Sequence, residues 1–267
     1  MQTTSWLALV VGNSRLHWAL FQQNRLQRVW HTPHFSPEQV SQLIHHQFNF
    51  QKLSLGRVES LPALNLAQPL VQIASVVPEQ QQLWANYAGQ QVIGLEQVPL
   101  AGMYPGFGLD RALALWGALT RVGGPVLVID AGTALTLTAG DADQRLIGGA
   151  ILPGLGLQLQ SLNHSTAALP EVRLPEPGVT SVIALPARWA RNTSEAIASG
   201  ILYSLTAGLR DFLEDWWQGF PGSSVVLTGG DSDRLYHYLS LRFPELESCL
   251  KLDPVLIFTG IQSLSRE

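Results

Sequence analysis

The chain has 267 residues, 46% hydrophobic and 13% charged, with a net charge of −4 and a pI near 6.0. That length accommodates one large core or two moderate ones, and the composition excludes a disordered chain. The charge balance gives no global attraction to nucleic acid or an anionic membrane, and the single cysteine, Cys249, excludes an internal disulfide and a cysteine-based zinc site.

The first residues, MQTTSWLALVVGNSRLHW, lack a basic segment ahead of their short apolar run. No stretch approaches the ~20 apolar residues of a membrane helix. A soluble, cytoplasmic protein is expected, with no nucleic-acid or membrane partner. Trp6–Val11 reads as a strand from its continuous apolar run, Gly12–Ser14 as a turn, and Arg15–Phe21 and Leu26–Thr32 as two further strands of a meander. Ser36, Pro37 and Gln39 then spell an N-cap, a first helical position and a capping box. Val40, Leu43, Ile44 and Phe48 share one face of the helix that follows. Pro69–Val77 predicts a strand, Pro78 a helix through Tyr87, and Gln91–Gly94 a short strand. After a loop rich in Gly and Pro, Asp110 is placed as the cap of a helix running to Val122.

Beyond Gly123-Gly124-Pro125 the pattern restarts. Strands are predicted over Val126–Asp130, Ala134–Ala139 and Gln144–Leu152. Pro153–Thr166 looks helical, and the segment from Leu169 to Pro186 is an extended, proline-rich loop. Asn192 caps a long helix, Thr193–Gln218, which ends in the aromatic group Trp216, Trp217 and Phe220, suited to a core or a dimer interface. The strand Ser224–Gly230, a helix Ser232–Phe243 and a final helix near Pro254–Ser265 close the chain. The fold class expected is α/β: each half opens on three antiparallel strands and then alternates helices with strands, and the halves meet near Gly123-Gly124-Pro125.

The turns carry the chemistry. In Val126–Thr138, VLVIDAGTALTLT, a buried strand ends in Asp130, turns through Gly132 and Thr133 and returns. Glycine admits close approach of a bulky anion, turn amides and a hydroxyl donate to phosphate oxygens, and the carboxylate can hold a cation that neutralises phosphate charge. The same residues also suit an ordinary hairpin. The first hairpin repeats the design, with Asn13 and Ser14 in the places of Gly132 and Thr133. A third turn, Gly229-Gly230, leaves room for a flat nucleobase or ribose.

In this order along the chain, GNS (Gly12–Ser14), ASVVP (Ala74–Pro78), YPGFGLDR (Tyr104–Arg111), DAGTALTL (Asp130–Leu137), GGAILPG (Gly148–Gly154), STAALP (Ser165–Pro170), NTSEAIASG (Asn192–Gly200) and LTGGD (Leu227–Asp231) resemble the actin–hexokinase–acetate kinase superfamily, and within it the type III pantothenate kinases. The resemblance implies two ribonuclease H-like domains of βββαβαβ type, with mixed sheets and helices, around a central cleft: residues 1–122 with one phosphate turn, and residues 123–267 with a second phosphate turn and an adenosine turn. It implies transfer of the ATP γ-phosphoryl group to the primary hydroxyl of pantothenate, the first step toward coenzyme A. It implies Asp110 as proton acceptor. Pantothenate contacts fall on Tyr104, Gly108, Leu109, Asp110, Arg111 and Thr193. ATP contacts fall on Val10, Val11, Gly12, Asn13, Ser14, Arg15, Leu16, His17, Thr133, Gly229 and Gly230. Asp130 is implied as ligand to a monovalent cation, potassium or ammonium, with magnesium as the further ion and a homodimer as the assembly.

These roles suit the residue types. Phosphoryl transfer needs positioning and charge neutralisation more than covalent chemistry. A carboxylate at a helix start sits where the dipole favours negative charge, and an adjacent arginine offers a fork for a carboxylate or carbonyl. Equally, Asp110 can be a plain cap, Arg111 a solvated residue and Tyr104 a packing partner of the Pro105 turn.

The chain departs from the family's D-x-G-N-T turn at Val10, which replaces an aspartate that in the family helps place the metal, and at His17, which replaces a lysine often found further along this hairpin; both changes remove charge from the phosphate site. An alternative therefore stands: a nucleotide-binding regulatory protein on the same fold with little or no kinase activity. A kinase acting on another small hydroxyl compound is a third reading. His31, His34, His45 and His46 are expected to be solvated, and His164 lies beside the STAALP segment.

Overall fold

The computed structural model describes residues 5–55, 61–175 and 184–265. Residues 176–183 of the expected proline-rich loop lie outside this set. The chain divides into two compact units: Met1–Pro99, Tyr104–Leu113 and Ile257–Glu267 form one, and Leu100–Met103 with Ala114–Leu256 the other.

In the first unit, β1 (Ser5–Val11), β2 (Leu16–Gln22) and β3 (Arg25–Thr32) form the expected antiparallel meander, and β4 (Leu70–Ser75) and β5 (Gln90–Val92) add in parallel on the other side of β1. The strand order is β3-β2-β1-β4-β5. α1 (Pro37–His45) opens with the capping box read from Ser36 and Gln39. It stops short of Phe48, which stays buried beyond the helix at φ 61° because its N–H turns back to the Leu43 carbonyl. α2 spans only Pro78–Gln82, half the expected length. Beyond it, turns closed by Trp84 N–H to Gln81 O and Tyr87 N–H to Trp84 O bury both rings. The core gathers around Trp18, whose ring meets Trp30, Phe35, Phe50 and Trp84 at centroid distances from 5.0 to 6.2 Å. Its indole N–H donates to Thr32 Oγ1 at 3.1 Å, so the one polar atom of the ring is satisfied where it is buried.

The second unit repeats the plan. β6 (Val126–Ala131), β7 (Ala134–Gly140) and β8 (Leu146–Pro153) are antiparallel neighbours, and β9 (Ser224–Thr228) and β10 (Leu250–Leu252) extend the sheet in parallel, in the order β10-β9-β6-β7-β8. Each sheet thus places its first strand centrally, with the meander on one side and the crossover strands on the other, the expected ribonuclease H-like arrangement. β10 has no counterpart in the sequence reading, since three residues show no period. Around this sheet lie α4 (Leu155–His164), α5 (Thr193–Gly219) and α6 (Ser232–Arg242). α5 buries Leu202, Leu205, Leu209, Leu213 and Trp216 at helical spacing against the sheet, so Trp216 is core. α3 (Leu109–Val122) runs from one unit into the other, and α7 (Leu256–Leu264) ends in the first, where Ser265 Oγ donates to the buried Gln72 at 2.7 Å.

One cross-strand pair carries a titration. His17 on β2 faces His31 on β3 with ring centroids 4.7 Å apart; His17 is half-buried, while His31 is exposed as expected. Burial, then His31 and Arg15, push the His17 imidazole down to about 4, and burial with Arg15 lowers His31. The unfolded chain therefore binds protons more readily than the folded one. Stability from the neutral imidazoles is whole above the ordinary value of 6.5 and is lost as pH falls through it toward 4. Urea midpoints of the wild type are expected to drop across that window more than those of His17→Asn. Parallel pH profiles for the two proteins would show that the pair is not linked to folding.

Candidate active site

The Tyr104–Arg111 stretch leads into α3, which begins at Leu109. Asp110 is thus its second residue and not its cap. Asp110 Oδ1 accepts the Arg111 backbone N–H at 2.8 Å, satisfying one of the orphan donors of the first turn. A Cβ on Gly108 would stand 2.6 Å from that same oxygen. The carboxylate folds over Gly108 into volume that any other residue would fill, which accounts for the G-x-D spacing physically. Arg111 is buried, not solvated. Its guanidinium lies over the Phe107 ring at 4.6 Å and Nη1 donates to the Tyr104 hydroxyl at 3.0 Å. Tyr104 meets Phe107 edge-on at 5.3 Å and remains 48% exposed. The arginine therefore braces an exposed phenol and a half-buried carboxylate on one rigid loop.

In the same unit the Gly12–Arg15 turn joins β1 to β2, closed by Gly12 N–H to Arg15 O at 3.1 Å. Asn13, Ser14 and Arg15 are exposed, while Val11 and Leu16 are buried strand ends. Val10 is buried too, and its register partners are His17 on β2 and Ala74 on β4. His34 is not solvated as expected: its Nε2 donates to the Gly12 carbonyl at 2.8 Å. No local sequence signal marks this contact, which spans 22 residues.

In the second unit, Asp130 is the penultimate residue of β6 and Thr133 precedes β7. Gly229 follows β9 at φ +92°, a conformation that side chains rarely adopt, and a Cβ there would lie 2.3 Å from Asp130 Oδ1 and 2.6 Å from the Ala131 carbonyl. The Asp130 and Gly229-Gly230 turns are thus packed together, tied by Asp231 N–H to Ala131 O at 2.9 Å. Gly154 N–H donates to Thr133 O at 2.9 Å, which sets the start of α4 beside the same turn. Asp231 forms a close ion pair with Arg234, and Ser232 Oγ donates to Gly229 O at 2.7 Å. Gly154, Asp231 and Arg234 were not among the expected site residues, although LTGGD and GGAILPG contain the first two. Thr193 stands elsewhere in this unit, in the first turn of α5 behind its cap Asn192, whose Oδ1 accepts Glu195 N–H at 2.9 Å. It lines an apolar groove of about 440 Å³ with Leu162, Leu169, Ile197 and Ile201. His45, His46 and His164 are exposed.

Among the described residues, no group of three or more His, Cys, Asp or Glu side chains is placed to hold a metal ion, and no helix is long and apolar enough to cross a membrane. Asp130 and Thr133 supply hard oxygen atoms at one corner. One carboxylate and one hydroxyl are oxygen donors of the kind a hard cation takes, with the rest of its shell left to other oxygens. They do not make an all-protein cage.

The family model for type III pantothenate kinase matches residues 6–215. A type III pantothenate kinase from a Nostoc species is 48% identical over 267 residues, covering 97% of this chain and 94% of that protein. One from a Synechocystis species is 40% identical over 259 residues, covering 97% and 90%. Among solved structures, a Baf family protein from Campylobacter jejuni superposes with a TM-score of 0.58 at 19% identity, covering 97% of this chain and 96% of that one. The ethanolamine utilization protein EutJ from Carboxydothermus hydrogenoformans gives 0.51 at 9% identity, covering 99% and 91%; these two likenesses are of fold. The chain belongs to the type III pantothenate kinase family.

Proposed function

We propose that this protein transfers the γ-phosphoryl group of ATP to the primary hydroxyl of pantothenate, giving 4'-phosphopantothenate and ADP, with Asp110 as the proton acceptor. Family membership supports the reaction, and the observation that carries the residue assignment is the Asp110 carboxylate held over Gly108 at the start of α3. The hydroxyl oxygen bonds to the γ-phosphorus, the bond from phosphorus to the β–γ bridging oxygen breaks, and the electron pair leaves on ADP. The hydroxyl proton passes to Asp110 and then to water. Tyr104 and the Gly108–Arg111 turn bind pantothenate, with Arg111 holding the Tyr104 hydroxyl in place, and Thr193 is assigned a further pantothenate contact.

The Gly12–His17 turn, with Val10 and Val11 leading into it, is assigned to the nucleotide phosphates, as is Thr133. Gly229 and Gly230 are assigned to the adenosine. Asp130 is assigned to a monovalent cation, and magnesium bound with the nucleotide supplies neutralisation of phosphate charge. A homodimer working in the cytoplasm completes the proposal. No observed feature favours the non-catalytic alternative beyond the valine that first suggested it.

Three outcomes are expected in a coupled ADP-release assay with ATP, magnesium, potassium and pantothenate. Asp110→Asn lowers kcat by about 10²- to 10⁴-fold with little change in KM for pantothenate; a trace equal to wild type removes Asp110 from the base role, and background release by wild type removes the activity. Gly229→Ala drives a Cβ into the Asp130 carboxylate and raises KM for ATP by roughly tenfold or more, while its pantothenate KM holds. An unchanged ATP KM would separate Gly229 from the nucleotide. Val10→Asp alters turnover by less than about tenfold, since the wild type is already a competent kinase; a rise of several orders of magnitude would mark the natural chain as degenerate.

A further inference from the structure

We propose that His34 is a positioning residue for the nucleotide phosphates: its imidazole holds the Gly12 carbonyl to one side, so that the Asn13 N–H is the group the turn presents to them. The inference rests on the assignment of the Gly12–His17 turn to the phosphate chain. Its observation is independent of that assignment. His34 Nε2 lies 2.8 Å from Gly12 O, and because a carbonyl oxygen only accepts, the ring nitrogen donates. Across one planar peptide the C=O and the following N–H point in opposite directions. Fixing the Gly12 carbonyl toward His34 therefore fixes the Asn13 N–H away from it. The Gly12 N–H is already used by the Arg15 carbonyl at 3.1 Å. Asn13, Ser14 and Arg15 form the exposed lip of the turn.

The imidazole stands on braced backbone. The next residue, Phe35, is 3% exposed; its N–H donates to Gln80 Oε1 at 3.1 Å, and its carbonyl accepts from Gln80 Nε2 at 3.0 Å. Ser36 then begins the capping box of α1. A side chain anchored between two helix starts is thus used to orient one peptide group of an exposed loop. Without that bond the Gly12–Asn13 peptide can rotate and aim its carbonyl oxygen, a negative pole, at the phosphates. A polyanion site needs donors at its surface and loses affinity when an acceptor replaces one.

The test compares His34→Leu, His34→Gln and His34→Asn in calorimetric titrations with magnesium-ATP and with adenosine, beside KM for pantothenate and thermal midpoints. His34→Leu is expected to weaken ATP about tenfold and to leave adenosine affinity and pantothenate KM within about twofold. His34→Gln, whose amide N–H reaches as far as the ring nitrogen, recovers most of the loss. His34→Asn, equally polar but one methylene shorter, binds ATP as weakly as His34→Leu, and keeps the comparison open if the leucine variant misfolds. ATP affinity unchanged in His34→Asn, equal weakening of ATP and adenosine, or no recovery in His34→Gln would each overturn the positioning role. Wild-type protein that binds no ATP overturns the turn's assignment itself, an outcome visible before any variant is made.

Discussion

Two carboxylates in this protein occupy space that only glycine leaves empty, and the proposed chemistry depends on that exclusion. Asp110 Oδ1 sits where a Gly108 side chain would begin, and Asp130 Oδ1 sits where a Gly229 side chain would begin. A methyl group at either place would meet oxygen at 2.6 or 2.3 Å, well inside contact distance. Gly108 and Gly229 leave the room these carboxylates occupy, and the Asp110 oxygen is further held by the Arg111 N–H. At a site where a proton or an ion must be met at a fixed point, loss of that restraint is more damaging than its modest energy suggests. The glycines are as much a part of the sites as the acids.

The strand plan explains why such corners arise in both units. In each sheet the first strand is central and flanked on both sides, so it is buried along its length and its polar groups emerge only at its end. β1 delivers the Gly12 turn there, and β6 delivers Asp130. The turns have diverged in charge. The turn of the first unit carries Arg15, followed on β2 by the His17 imidazole whose pKa burial lowers, with no acid at Val10, whereas that of the second carries Asp130. One plan yields a cationic lip in one unit and an anionic corner in the other.

Much of this was legible in the sequence wherever a few adjacent residues decide the outcome. Ser36, Pro37 and Gln39 define the start of α1 because capping is a local hydrogen-bond pattern. Asn192 does the same for α5, and the two meanders follow from short apolar runs separated by turn residues. What distant contacts decide could not be read. α2 ends early because Trp84 and Tyr87 are drawn into the core by rings far along the chain. β10 is three residues long and exists only as a partner of β9. Asp110 looks like a cap by residue type, yet the helix starts one residue sooner, over the glycine that its carboxylate covers. His34 was assigned to solvent because no neighbour in sequence explains it. Its partner is a backbone carbonyl on another strand's turn.

The departures from the family pattern at positions 10 and 17 lie side by side in the first sheet. Val10 and His17 are register partners across β1 and β2, so the aspartate and lysine of that pattern would face each other on adjacent strands. Removing either alone would leave the other charge half-buried without its partner, at a cost of several kcal/mol. Removing both leaves an apolar valine against an imidazole that burial keeps neutral, and exchange of a buried ion pair for such a contact is often neutral or stabilising. Val10 therefore packs within the sheet without bringing an unpaired charge. It leaves the Gly12–Arg15 turn intact, with its amides and the Arg15 guanidinium still exposed.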